Sequence, residues 1–186
     1  AGGGLLSRPN RRPADGSYPR FDDGSDHDDR HLQCATQRRH WELTVAPVTR
    51  VYLARHGRTR LNAEDRLRGL SDPPLDEVGR AEASRLAAAL GYTRPVAVIS
   101  SPLQRAVVTA QIIGAATHAP VSVDDRLNDR DYGPMTGQLR HEVVDRYGSV
   151  DAAPGVEPLD ALAQRARAAF EAIVAEYDTG PLVLVS

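Results

Sequence analysis

Between residues 49 and 186 the chain predicts an α/β domain with helices on both faces of a sheet, and three observations carry that expectation. Strand and helix signals alternate over this whole stretch, the strand runs are short and apolar, and the helical segments show one apolar face. Taken in order, Val51-Tyr52-Leu53-Ala54 reads as a buried strand that runs into Arg55-His56-Gly57-Arg58-Thr59, with Asn62 shortly after. Residues Asp76 to Leu90 form an amphipathic helix with Val78, Ala81, Leu86 and Leu90 on or near one face, ended by Gly91 as a C-cap. Val96-Ala97-Val98-Ile99 is the next strand, and a helix follows through Ile113, with Ser101 as its N-cap and Pro102 at its first position. Val121 to Val123 is a short strand, and Arg140 to Tyr147 is helical with Val143 and Val144 inward. A long helix over Pro158 to Tyr177 carries Leu159, Leu162, Ala166, Phe170, Ile173 and Val174, and Pro181 to Ser186 reads as the last strand.

The chemistry sits where two strands end. Open α/β sheets place their ligand crevices at the carboxyl ends of strands. The first strand delivers an imidazole beside a guanidinium there, a pair suited to attack on phosphorus: arginine binds phosphate oxygens in a bidentate fork and histidine supplies the nucleophile. Gly57 lets the backbone turn sharply and approach a ligand closely. After the second strand, a helix start offers free N–H groups and partial positive charge, and Arg105, one turn in, faces the same way.

Composition narrows the classes. The chain has 186 residues and a net charge of −2, so no global charge favours nucleic acid or a membrane surface. Local charge differs: Arg55, Arg58, Arg60, Arg66 and Arg68 cluster around the first motif and suggest an anionic ligand. All 23 basic residues are arginine, which excludes a Schiff-base lysine and a Walker-type phosphate loop. The single cysteine, Cys34, excludes an intramolecular disulfide, and His40 stands where a cysteine-dependent phosphatase loop needs its arginine. No apolar run reaches membrane-spanning length and no secretory leader is visible, so a cytoplasmic location is expected. Residues 1–48 are rich in Gly, Pro, Arg and Asp and read as a disordered extension ahead of the domain over 49–186. Within it, Asp22 to His31 lacks the alternation and closing glutamate of a calcium loop and reads as a solvated acidic run, and Trp41 either packs on the domain or sits in the tail.

Four ordered motifs resemble the histidine phosphatase superfamily, also called phosphoglycerate mutase-like. They are Arg55-His56-Gly57 with Thr59 and Asn62; Arg66-Leu67-Arg68-Gly69 with Asp72, Pro74-Leu75 and Gly79; Ser100-Ser101-Pro102-Leu103-Gln104-Arg105-Ala106 with Thr109-Ala110; and Leu127 through Gly137. The resemblance implies a three-layer αβα sandwich. It also implies that His56 becomes a phosphohistidine, that Arg55 and Arg105 hold the phosphoryl oxygens, and that Asp129 protonates the leaving oxygen and then activates water. Many relatives carry glutamate at the acid position, and Asp131 is the fallback. Asn62, Arg68 and Gly69 correspond to positions that contact substrate or phosphate; neither metal nor cofactor is required.

Relatives also carry a second histidine directly after the last core strand. This sequence ends at Ser186, where that histidine would be next, and it starts at Ala1 rather than methionine, so it is read as a fragment. The remaining histidines, His27, His31, His40, His118 and His141, have no motif context. The expected function is a phosphatase acting on phosphate monoesters of small metabolites. About twenty residues separate Gly137 from Glu157, with no arginine pair of the kind mutases use; a short cap admits water to the phosphohistidine. Pro154-Gly155-Val156-Glu157 resembles the Pro-Gly-Gly-Glu turn of phosphatase members. The alternatives are a 2,3-bisphosphoglycerate-dependent phosphoglycerate mutase, whose acid loop Leu127 to Gly133 resembles, and a non-catalytic binder of phosphorylated ligands.

Overall fold

The structure, a computed structural model, describes residues 50–186. Four strands form one parallel sheet: β1 (Val51–Ala54), β2 (Ala97–Ser100), β3 (Val121–Val123) and β4 (Leu182–Val185). Their spatial order is β1-β4-β2-β3. The register aligns Ala54 and Ser100 with Val185, and Ser100 with Val123. The four strands therefore end level, and the residues that follow them emerge along one rim.

Side chains alternate across this sheet as the pleat requires. Val98, Val183 and Val185 face α2 (Glu77–Leu90) and α3 (Gln104–Thr117), packing with Ala87, Leu90, Ala106, Ala110 and Ile113. Ala97, Ile99, Leu182 and Leu184 face the opposite way, against Ile173 of α5 (Leu159–Ala175). Helices cover both faces, which is the predicted three-layer sandwich. β2 and β4 are buried along their whole length, as central parallel strands are. Each fully buried valine or leucine there contributes roughly 1.5–3 kcal/mol relative to exposure. A third cluster, Leu67, Met135, Val143, Val150, Ala153 and Val156, joins α4 (Arg140–Tyr147) to the loops that carry the acid motif.

Several expectations are corrected in detail. α3 begins at Gln104, not at Pro102, and Ser101 does not cap it. The Ser101 N–H donates to Val185 O, which holds that residue in the sheet register, and Asp72 reaches across to accept from the Gln104 N–H at 2.6 Å. The cap comes from a loop 32 residues earlier in sequence. Val144 is exposed, as are Leu159 and Phe170 of α5. Gly91 follows α2 in right-handed geometry, so glycine's freedom is not used there. Residues 1–48, including Cys34, Trp41, His27, His31, His40 and the acidic run, lie outside the described residues.

Candidate active site

The turn after β1 is fixed from three sides. The His56 N–H donates to Ser186 O at 3.0 Å, the Gly57 N–H donates to Thr109 Oγ1 at 3.1 Å, and Thr109 Oγ1 in turn donates to Arg105 O at 2.8 Å. A methyl at Gly57 would lie 2.2 Å from Gly79 O, and one at Gly79 would lie 2.0 Å from Arg58 O. Gly57 is thus required by the close approach of the α2 N-terminus, a demand beyond the sharp turn expected of it. The short helix α1 (Arg60–Ala63) continues the turn and is closed by a capping box between Thr59 and Asn62.

His56 is 6% exposed, and its Nδ1 lies 2.6 Å from Gly57 O. A carbonyl oxygen only accepts, so Nδ1 carries the proton and Nε2 carries the lone pair. Nε2 is buried and has no partner among the described residues. Burial, opposed by the Gly57 hydrogen bond and reinforced by the positive charges of Arg105, Arg68 and Arg55, pushes the imidazole down to about 4. At neutral pH the ring is uncharged, with the lone pair of Nε2 available to a ligand.

A cleft of about 670 Å³ opens at this ring, lined among others by Arg55, His56, Asn62, Arg66, Arg68 and Arg140. Four predicted site residues, Arg55, His56, Asn62 and Arg68, share it. Asn62 turns its Oδ1 to the Thr59 N–H and hydroxyl, at 3.0 and 2.9 Å, which leaves the amide nitrogen as the end for a ligand. The five-arginine cluster resolves into two kinds. Arg58 pairs with Asp76, Arg60 with Glu64, and Arg66 with Glu64 while donating to Gly137 O. Arg55 has no carboxylate partner among the described residues, and Arg68, though near Asp129, keeps a buried Nε without a partner among them, so these two are the candidates to bind an anion.

Gly69, Arg105 and Asp129 form a tier joined to this cleft through Arg68. Arg105 is fully buried and grips the backbone: Nη1 donates to Ser71 O at 2.7 Å, and Nη2 to Gly69 O at 2.9 Å and Asp129 Oδ2 at 3.0 Å. Gly69 takes a left-handed conformation, φ +54°, that directs its carbonyl to this guanidinium. Arg68 Nη2 lies 3.6 Å from the same Asp129 oxygen. Arg105 therefore does not present an open bidentate fork, because those nitrogens hold protein carbonyls. The Nε atoms of Arg68 and Arg105 are buried without a partner among the described residues, as is His56 Nε2. Buried polar groups that the protein leaves unmatched are positions for a ligand to satisfy. Burial lowers the Arg68 guanidinium's affinity for its proton, and the neighbouring Asp129 opposes that.

The two candidate acids separate cleanly. Asp129 faces Arg105 and Arg68, whereas Asp131 is exposed and its Oδ1 accepts the Gly133 N–H at 2.7 Å, closing a turn. His141 is exposed on α4, and His118 ends α3 in left-handed geometry. Among the described residues no group of three or more His, Cys, Asp or Glu could hold a metal. The sequence reading missed Thr109 as the support of the Gly57 turn, Arg140 as a wall of the cleft, and Arg165, which binds the acid loop from α5. Arg140 follows Gly137 too closely in sequence to signal a return to the first motif, and it makes that return by pairing with Asp65 at 3.5 Å.

Comparison with known proteins places this geometry. The family profile described as histidine phosphatase superfamily (branch 1) matches residues 51–186. A glucosyl-3-phosphoglycerate phosphatase of Mycolicibacterium vanbaalenii is 38% identical over 96 residues, 52% of this chain and 43% of that protein. The chain thus spans less than half the length of this curated relative. The 2,3-bisphosphoglycerate-dependent phosphoglycerate mutase 2 of Gloeobacter violaceus is 38% identical over 149 residues, covering 72% of this chain and 68% of the mutase. Among solved structures, a mycobacterial glucosyl-3-phosphoglycerate phosphatase in complex with VO3 superposes with a TM-score of 0.67 at 33% identity, covering 74% of this chain and 75% of that one. A buried, neutral imidazole among arginines at the rim of a parallel sheet, within a sequence that matches from β1 through β4, means that the chain belongs to the histidine phosphatase superfamily.

Proposed function

We propose that residues 49–186 carry a phosphatase activity that hydrolyses phosphate monoesters of small metabolites in the cytoplasm through a phosphohistidine on His56. The supporting observation is His56 Nε2: buried, unprotonated and without a partner among the described residues, beside Arg55 and Arg68. Among the described residues no helix is long and apolar enough to cross a membrane. In the first step the Nε2 lone pair forms a bond to phosphorus as the ester P–O bond breaks. Arg55, Arg68 and the Nε–H of Arg105 carry the charge on the phosphoryl oxygens. Asp129, as general acid, gives a proton to the leaving oxygen. In the second step Asp129 takes a proton from water, the hydroxide oxygen bonds to phosphorus, and the N–P bond breaks, returning inorganic phosphate and free imidazole. Asn62 orients the bound ester.

The test is phosphate release from a generic monoester by the complete gene product, in chelator, alongside acid-labile label on His56. Metal-independent release that disappears in His56→Ala supports the proposal; release unaffected by His56→Ala overturns it. A second reading, mutase, is favoured by the 38% identity to the Gloeobacter enzyme. Interconversion of 3- and 2-phosphoglycerate, primed by the bisphosphorylated glycerate and far above the hydrolytic rate, would establish it instead. A binder of phosphorylated ligands that never becomes phosphorylated is the third outcome the same assay reads.

A further inference from the structure

We infer that Arg165, on α5, is a positioning residue that sets the reach of Asp129, an inference that rests on the phosphohistidine reaction proposed above. Asp129 stands in an irregular loop, and its carboxylate is bound to Arg105 through Oδ2 and to the Arg130 N–H through Oδ1. An arriving phosphoryl group draws on the same Arg105, so the loop needs a hold that does not depend on the reacting carboxylate. Arg165 supplies it. Its Nη1 donates to Asn128 O at 2.7 Å and its Nη2 to Asp129 O at 2.8 Å. These carbonyls belong to the two peptide planes that flank the Asp129 Cα. Each plane is rigid, so fixing both fixes the direction of the Asp129 side chain.

The guanidinium is itself held by Glu157, Nε on Oε1 at 2.5 Å and Nη2 on Oε2 at 2.8 Å, the bidentate geometry in which arginine is strongest. Glu157 Oε2 also accepts the Asp131 N–H at 3.1 Å, and the Glu157 main chain pairs with Asp131 O at 2.8 Å. One ion pair thereby straps residues 128–131 to the helix that packs on the sheet. Arg165 lies outside the cleft at His56 and touches no reacting atom in this scheme.

The experiment compares two esters in the complete gene product: an aryl phosphate, whose phenolate departs unaided, and an alkyl phosphate, whose alkoxide needs a proton. Arg165→Met is expected to lower kcat/KM, which reports the steps up to the phosphohistidine, by about ten- to a hundred-fold for the alkyl ester, a share of the general-acid contribution, and to leave kcat/KM for the aryl ester within about three-fold. Glu157→Gln should show the same split more weakly, and Arg165→Lys should restore part of it. Arg167→Met, two residues away and paired with Glu171, is the control and should change neither ester. Equal losses in kcat/KM on both esters in a variant whose unfolding midpoint is unchanged would overturn the positioning role. If Arg165→Met does not fold, Glu157→Gln decides by the same criterion. Absence of acid-labile phosphate on His56 in the unmutated protein removes the underlying reaction instead, and with it this inference.

Discussion

The nucleophile turn and the acid loop face each other across the same arginines but are held by opposite means. His56 is fixed by backbone hydrogen bonds, the close contact of Gly57 with Gly79, and the hydroxyl of Thr109. Asp129 is fixed by ion pairs: Arg105 and Arg68 on its carboxylate, Arg165 and Glu157 on its loop. The contrast fits the chemistry proposed for each group. A neutral lone pair gains nucleophilicity from a dry, preformed setting, whereas a carboxyl that takes and gives a proton works better where charges can rearrange around it. Backbone hydrogen bonds and close packing respond little to ionic strength, while partly exposed ion pairs are screened by salt.

Four measurements would sharpen or break this comparison. His56→Ala removes the nucleophile and is expected to abolish acid-labile phosphate altogether, read by trapping with a labelled ester; retained label would place the chemistry elsewhere. Arg105→Met takes away a fully buried side chain that, like Arg68, serves both regions, leaving Gly69 O, Ser71 O and Asp129 Oδ2 without it. A loss of roughly 10²–10³ in kcat is expected, by analogy with removal of a charge-stabilising donor. If Arg105→Met lowers only the melting temperature, its role is structural.

The third measurement is pH. His56 is held at about 4 in the fold against an ordinary value of 6.5, so between those values the unfolded chain binds the extra proton. Stability from this group is fully present above pH 6.5 and drains as pH falls toward 4, by up to about 3 kcal/mol. His56→Gln should flatten denaturant-derived stability over that window; an unchanged slope would mean the ring is not dry. The carboxylates of Asp76, Asp124 and Glu157, all held below their ordinary range by hydrogen bonds and arginine partners, act at still lower pH. The smallest effect is expected from Thr109→Val, which keeps the shape and deletes the acceptor for the Gly57 N–H. A stability loss of about 1–3 kcal/mol should appear in thermal unfolding, the usual range for one buried unmatched donor.

The fold was legible wherever a signal is local. All four strands and the helices α2 to α5 lie within a few residues of their expected bounds, because apolar runs and one-sided helices announce themselves over short windows. Arg55, His56 and Asn62 could be singled out for the same reason: they follow a strand within one motif, and Arg68 stands in the motif directly after it. What escaped was action at a distance. The cap of α3 is Asp72, the partner of Gly57 is Gly79, and the hold on Asp129 is Arg165, 36 residues away and bonded to main-chain oxygens that leave no trace in side-chain pattern. The expected fork of Arg105 was altered by the same kind of main-chain demand.

The strand order has a further consequence for how the protein is made. β4 lies between β1 and β2 although it is translated after both, and among the described strands β1 pairs with β4 alone. A nascent chain that has not yet exposed residues 182–185 has β2 and β3 to join but nothing to receive β1, so the rim that presents His56 cannot assemble on the ribosome before then. Long-range parallel pairing of this sort closes slowly, and assembly of that rim in a synthesising extract should lag behind the emergence of residues 182–185.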